Sequence, residues 1–154
     1  MNTAQEKYIC VDVQGFATPH FIPKEMTLIT GENVTHHFLF NAPSGGFPYK
    51  YRQSIEWLED RHHGIPYSAR GISFDGDIFR HFPAEVVYVK GQQKAEFMSR
   101  FYNRVVNLEY EEDSPKIVKT KDYCSYHNQM GYSWVCSNKN AYVLKYYIDA
   151  NKVY

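Results

Sequence analysis

No apolar run in this 154-residue chain approaches the roughly 20 residues that a membrane-spanning helix needs. The opening segment, MNTAQEKYICVDVQ, lacks the basic start and apolar core of a secretory signal. Cysteine is scarce: Cys10, Cys124 and Cys136 are an odd and small number, which argues against a disulfide framework. These shortages predict an intracellular protein in a reduced compartment, with no membrane association. Net charge is missing as well. Lys plus Arg and Asp plus Glu stand at 17 each, so the global balance points to no polyanionic partner. Internal repeats and low-complexity tracts are absent, and nothing in the chain marks an oligomeric state.

Against that background the aromatic content stands out, with 14 Tyr and 10 Phe but only 2 Trp. Aromatics favour strands, and they also supply platforms on which bases can stack. The length and the 44% apolar content suit one domain spanning residues 1–154 around one core. Local charge is less even than the total. Lys90, Lys94, Arg100 and Arg104 cluster with only Glu96 among them, and Lys116, Lys119 and Lys121 follow. Such a run is either ordinary solvated helix surface or one basic face on a neutral domain.

Periodicity predicts strands at 8–13, 21–30 and 34–40, joined by short connections, hence an antiparallel meander. A helix is expected over 49–63, where Tyr51, Ile55 and Leu58 recur at helical spacing and Gly64 and Pro66 close the segment. Residues 64–84, rich in Gly and Pro, read as an irregular excursion. A strand at 85–89, a helix at 91–102, a strand at 105–108 and a helix at 138–148 complete the order βββαβαβα. The predicted fold is α/β, a ribonuclease H-like mixed five-stranded sheet of three antiparallel and two parallel strands flanked by helices.

The sharpest local signal is Cys124-Ser-Tyr-His127 with Cys136 eight residues beyond it. Two residues between a Cys and a His let both side chains meet one ion from a tight turn. A ligand at the start of the next helix can join them, and thiolate plus imidazole is the donor chemistry of zinc. Three donors leave a tetrahedral site one short. On spacing alone a second reading stands beside this one, with two small buried hydrophobes and a loop histidine.

The segments FIPKEMTLITGENVTHHFLFNAP and CSYHNQMGYSWVCSNKNAYVL resemble the Maelstrom domain of the piRNA pathway, or a related uncharacterised invertebrate or viral domain. That resemblance implies a DEDDh-exonuclease fold in which a Glu-Cys-His-Cys set binds structural zinc. The matching positions are Glu25, Cys124, His127 and Cys136, so Glu25 is implied as the fourth ligand. It also implies a single-stranded RNA partner. Some members of the family cleave RNA without the DEDDh acids, so weak endoribonuclease activity is among the expectations, as is a role in small-RNA or transposon silencing. The High-Mobility-Group box that accompanies many members is absent from this sequence.

A working DEDDh enzyme holds two Mg²⁺ ions on four carboxylates. On the same alignment only Asp12 remains as a catalytic remnant, since Gln14 stands where a Glu belongs and Lys90 and Lys94 fall near a third acid's place. A neutral amide is a poor ligand for a hard dication, so magnesium is not expected. Lys90 and Lys94 become candidate RNA contacts. Asp12 also has a plainer reading as a strand-end turn cap, and Asp75-Gly-Asp77 reads as a turn. His36 and His37 follow strand alternation, and His62 and His63 suit a helix end. Three functions are open: an RNA-binding module, a non-catalytic protein-interaction scaffold, and an active Mg²⁺ nuclease.

Overall fold

Alternation along one strand sets out the molecule. In the computed structural model, which describes residues 5–129 and 131–151, β1 (Glu6–Ala17) occupies the centre of a five-stranded sheet. Its odd positions Ile9, Val11 and Val13 pack with Met26, Leu28, Val87, Val89, Phe97 and Met98 in the larger core. Its even positions Tyr8 and Cys10 pack with Tyr88, Leu108, Leu144 and Ile148 on the opposite face. A period of two places the two sets on opposite sides, so one strand serves both cores.

The sheet order is β3-β2-β1-β4-β5, with β2 (Phe21–Thr30) and β3 (Thr35–Leu39) antiparallel and β4 (Ala84–Val89) and β5 (Val105–Asn107) parallel. This is the mixed α/β sheet the sequence order predicts. Helix α1 (Arg52–Trp57) precedes β4, α2 (Gln92–Met98) links β4 to β5, and α3 (Ser137–Asn151) covers the Tyr8/Cys10 face. Among the described residues no helix is long and apolar enough to cross a membrane.

Beyond Cys10 the even positions of β1 turn polar. Asp12 and Gln14 pair with Thr27 and Glu25 of β2, and all four are buried. The α3 face of the sheet therefore changes from greasy to polar toward the end where α3 begins. There Thr27 and Ser137 meet hydroxyl to hydroxyl at 2.9 Å. At the other end Tyr8 and Lys145 both donate to Asp149, each at 2.5 Å, which fixes the helix along the sheet.

Four elements depart from expectation. β1 continues past Gly15 to Ala17 because a bulge between Gln14 and Gly15 resets the pairing rather than ending it. A Cβ at Gly15 would lie 1.9 Å from the Ile22 carbonyl oxygen, so the close strand approach requires glycine. The single helix expected over 49–63 is instead a 3₁₀ turn (Tyr49–Tyr51), α1, and a wide π turn (Leu58–His62). In that last turn the His63 N–H reaches back to the Leu58 carbonyl at 3.0 Å. Finally, α2 stops at Met98, four residues short of the predicted end, while α3 runs longer at both ends than predicted.

Gly15→Ala is expected to destabilise the fold by about 1–3 kcal/mol, because the clash is with backbone rather than a movable side chain. The urea midpoint reads this out, and an unchanged midpoint would contradict the bulge.

Candidate metal centre

The loop that carries Cys124 and His127 folds back on the π turn. Asn128 N–H donates to the Gly64 carbonyl at 2.7 Å and Val135 N–H to the His62 carbonyl at 2.9 Å. Trp134 seals the contact, since a Cβ on Gly64 would lie 2.4 Å from its ring and Gly64 has φ +65°. The loop is thereby pressed against the polar end of the sheet. Cys136, the residue before α3, arrives at the same place.

Four side chains converge there: Glu25 from β2, Cys124 and His127 from the loop, and Cys136. One donor atom from each lies within 4.8 Å of every other. Glu25 Oε2 is 2.9 Å from Cys124 Sγ and 3.7 Å from Cys136 Sγ, and Glu25 Oε1 is 3.2 Å from His127 Nε2. A tetrahedral zinc with bonds of about 2.0–2.3 Å requires ligand atoms roughly 3.3–3.8 Å apart. The cluster is already close to that size, and its two sulfurs, imidazole and carboxylate are zinc donors.

The surroundings orient the donors as a metal site would need. His127 Nδ1 bonds the His63 carbonyl, which makes Nδ1 the protonated nitrogen and leaves Nε2 as the potential ligand. Nε2 is buried and has no hydrogen-bond partner among the described residues; its approach to Glu25 is close but not aligned as a hydrogen bond. An orphaned buried nitrogen beside two thiols and a carboxylate fits a cation. Glu25 is held from behind as well, with Oε2 2.7 Å from His37 Nε2 and Oε1 accepting the Ser137 N–H at 2.9 Å. Ser137 opens α3, so the carboxylate also meets the positive end of that helix.

No family model, curated protein or solved structure matches this chain. The site therefore rests on its own geometry.

Protonation follows the same logic. Burial works against a charged Glu25, but the His127 imidazole close beside it and the hydrogen bond to His37 outweigh it and hold the carboxyl well below its ordinary range. Burial likewise opposes a charged His127, yet contact with Cys136 and Glu25 raises its pKa to about 10. The two thiols act on each other: their mutual hydrogen bond, aided by His127, favours the thiolate at Cys136 and keeps Cys124 protonated. Without an ion, protons balance a concentrated negative site. Cys10 contrasts with both, since burial above all pushes its thiol up to about 12 and leaves it an inert core residue.

Asp12 is 2% exposed and fully engaged. Lys94 Nζ lies 2.6 Å from Oδ1, while Gln14 Nε2 and Asn140 Nδ2 donate to Oδ2 at 2.8 and 2.9 Å. Lys90 points elsewhere and donates to the Pro115 carbonyl at 2.5 Å. Asp75 accepts the Asp77 N–H at 3.0 Å and caps the 3₁₀ helix Gly76–His81, so that motif is a turn.

Sequence reasoning gave His37 and His63 only structural readings and did not single out Ser137. His36 and His37 do face opposite ways, but His37 is bonded to Glu25 while His36 packs 4.6 Å from the Phe82 ring. The signal was available, because the Gly31-Glu32-Asn33 turn sets a register in which His37 stands opposite Thr27, on the Glu25 face. His63 is not the charged helix-end residue that the dipole argument favours. Burial lowers its pKa to about 3, and it sits wholly inside, with Nε2 donating to the Gly15 carbonyl and Nδ1 accepting the Ile65 N–H.

Purified protein is expected to carry one equivalent of zinc by elemental analysis, and Glu25→Ala and Cys136→Ser are expected to lose it. His37→Ala should retain the metal with about 10–100-fold weaker affinity in a chelator competition. Full zinc occupancy in Cys136→Ser would overturn the assignment.

Proposed function

We propose that this chain is a ribonuclease H-like, exonuclease-derived domain, stapled by a structural zinc, that binds single-stranded RNA without two-metal turnover. The carrying observation is the state of Asp12. Its carboxylate takes three hydrogen bonds from its neighbours, and one comes from an ammonium 2.6 Å away. Lys94 supplies the positive charge that a divalent cation would bring to such a cleft. A carboxylate committed in this way is a poor anchor for Mg²⁺.

The zinc takes a structural role in this reading because four protein donors leave no open position for water or substrate. The bound ion would neutralise the donors and tie the 119–136 loop and the start of α3 to β2.

The strand path is read from charge and stacking beside Asp12. Trp57 is 55% exposed and lies parallel to His62, with ring centroids 5.5 Å apart. His62 lies within the fields of Lys94 and Lys119, which together with burial lower its pKa. Lys119 itself donates to the Arg61 carbonyl. An exposed indole stacked on a histidine that two ammonium groups reach electrostatically supports the pairing that single-strand binders use, aromatic faces for bases and ammonium groups for phosphates. Lys90, turned toward Pro115, is peripheral to this path.

Binding of a roughly 20-nucleotide RNA, followed by fluorescence anisotropy, should weaken steeply between low and moderate salt. Trp57→Ala should cost about 5- to 100-fold in affinity. Lys119→Ala should flatten the salt dependence by about 0.7 in the log–log slope. Added Mg²⁺ should produce no cleavage. Cleavage that requires Mg²⁺ and vanishes in Asp12→Ala would replace this reading with an active nuclease, and absence of any RNA binding would leave a scaffold.

A further inference from the structure

The start of β2, the segment after β3 and helix α2 enclose a cavity of about 590 Å³ that shares no lining residue with the metal centre or the Trp57 path. Its size falls within the range of small-molecule sites. Three phenyl rings meet there. Phe97 is 4% exposed and forms the floor, while the half-buried Phe21 and Phe74 contact it with centroid separations of 5.1 and 5.7 Å. Apolar ring surface facing an open cavity is what a planar ligand can cover.

Arg100 stands at the rim. It lines both this cavity and a smaller one of about 220 Å³ that shares Phe21 and Phe97. Among the described residues no carboxylate lies within ion-pair distance of its guanidinium. Glu96, one turn earlier on α2 and lining the smaller cavity, instead accepts the Gln92 amide at 3.0 Å. Asn41 adds a donor: its Oδ1 is taken by the Gly71 N–H at 2.8 Å, and its amide hydrogens have no partner among the described residues. Ser73 contributes an exposed hydroxyl.

Stacking surface, a forked cation and hydrogen-bonding groups along the rim are three demands on one ligand. A simple aromatic acid would leave Asn41 and Ser73 unmatched, and a sugar phosphate would leave the phenyl rings wet. A nucleotide meets all three, with a planar base, a polar base edge and a phosphate suited to a guanidinium. We propose that this cavity binds one nucleotide unit, with its base on the Phe21/Phe74/Phe97 rings and its phosphate on Arg100. The unit is either a free nucleoside monophosphate or one residue of an RNA strand, and both present the same chemistry.

The test titrates the zinc-loaded protein with AMP, UMP, adenosine and uridine by calorimetry or NMR, alongside a short single-stranded RNA. Two variants accompany it. Arg100→Ala removes the cation, and Ser73→Trp fills the cavity from an exposed position while leaving the three phenylalanines in place. Both should keep the wild-type melting temperature. The expected result is saturable binding of AMP or UMP, with nucleosides about tenfold weaker. Arg100→Ala should cost the monophosphates about tenfold and leave the nucleosides unchanged. Ser73→Trp should abolish binding of all four. If Ser73→Trp also weakens RNA binding, the unit belongs to a strand; if RNA binding is untouched, the site serves free nucleotides. No saturable monophosphate binding at about 10 mM, or binding that survives both variants, overturns the proposal. RNA that fails to bind at all refutes the strand path while the mononucleotide titrations still decide this site.

Discussion

A carboxylate with no solvent exposure, placed in the middle of a β-strand, is the constraint to which the rest of this molecule answers. Glu25 is wholly buried. An uncompensated charge in that position costs about 3–5 kcal/mol, a large part of the stability of a domain this size. Every nearby element contributes something to offset it. β3 supplies His37, α3 supplies the Ser137 N–H and the positive end of its dipole, and the loop supplies His127. A zinc ion among Glu25, Cys124, His127 and Cys136 would turn the same carboxylate from a burden into a cross-link between sheet, loop and helix.

A second buried acid lies on the same face and is handled by different means. Asp12 sits opposite Thr27 on β1 and is neutralised by the chain's own ammonium and two side-chain amides. One carboxylate is set among thiols and imidazole, the other beside Lys94. The two environments differ accordingly: a candidate metal donor at Glu25 and a closed ion pair at Asp12. The polar end of the α3 face is built to balance charge rather than to hold hard cations.

The parts of this arrangement legible in the sequence are those that depend on local pattern. β2 begins and ends at the predicted residues because FIPKEMTLIT is β-rich throughout and a Gly31 turn closes it. The spacing of Cys124, His127 and Cys136 foretold a shared site, and the fourth position, implied by family likeness, falls within 4.8 Å of the other three. What escaped depends on long-range contact. Nothing near Gly15 announces that a strand will continue through it by means of a bulge. The π turn at 58–62 follows from how His62 to Gly64 must present their carbonyls to a loop some 65 residues later, as the His127–His63 and Asn128–Gly64 bonds record. Lys94 read as a free cation and a candidate RNA contact because its partner, Asp12, lies 82 residues away.

The most direct measurement of the central claim is zinc-edge X-ray absorption on the purified protein. The account requires a four-coordinate first shell with two sulfur scatterers at about 2.3 Å and two nitrogen or oxygen scatterers at about 2.0–2.1 Å. A shell of nitrogen and oxygen alone, or one with an additional solvent ligand, would contradict it. The first would remove Cys124 and Cys136 from the site, and the second would replace a closed structural centre with an open one.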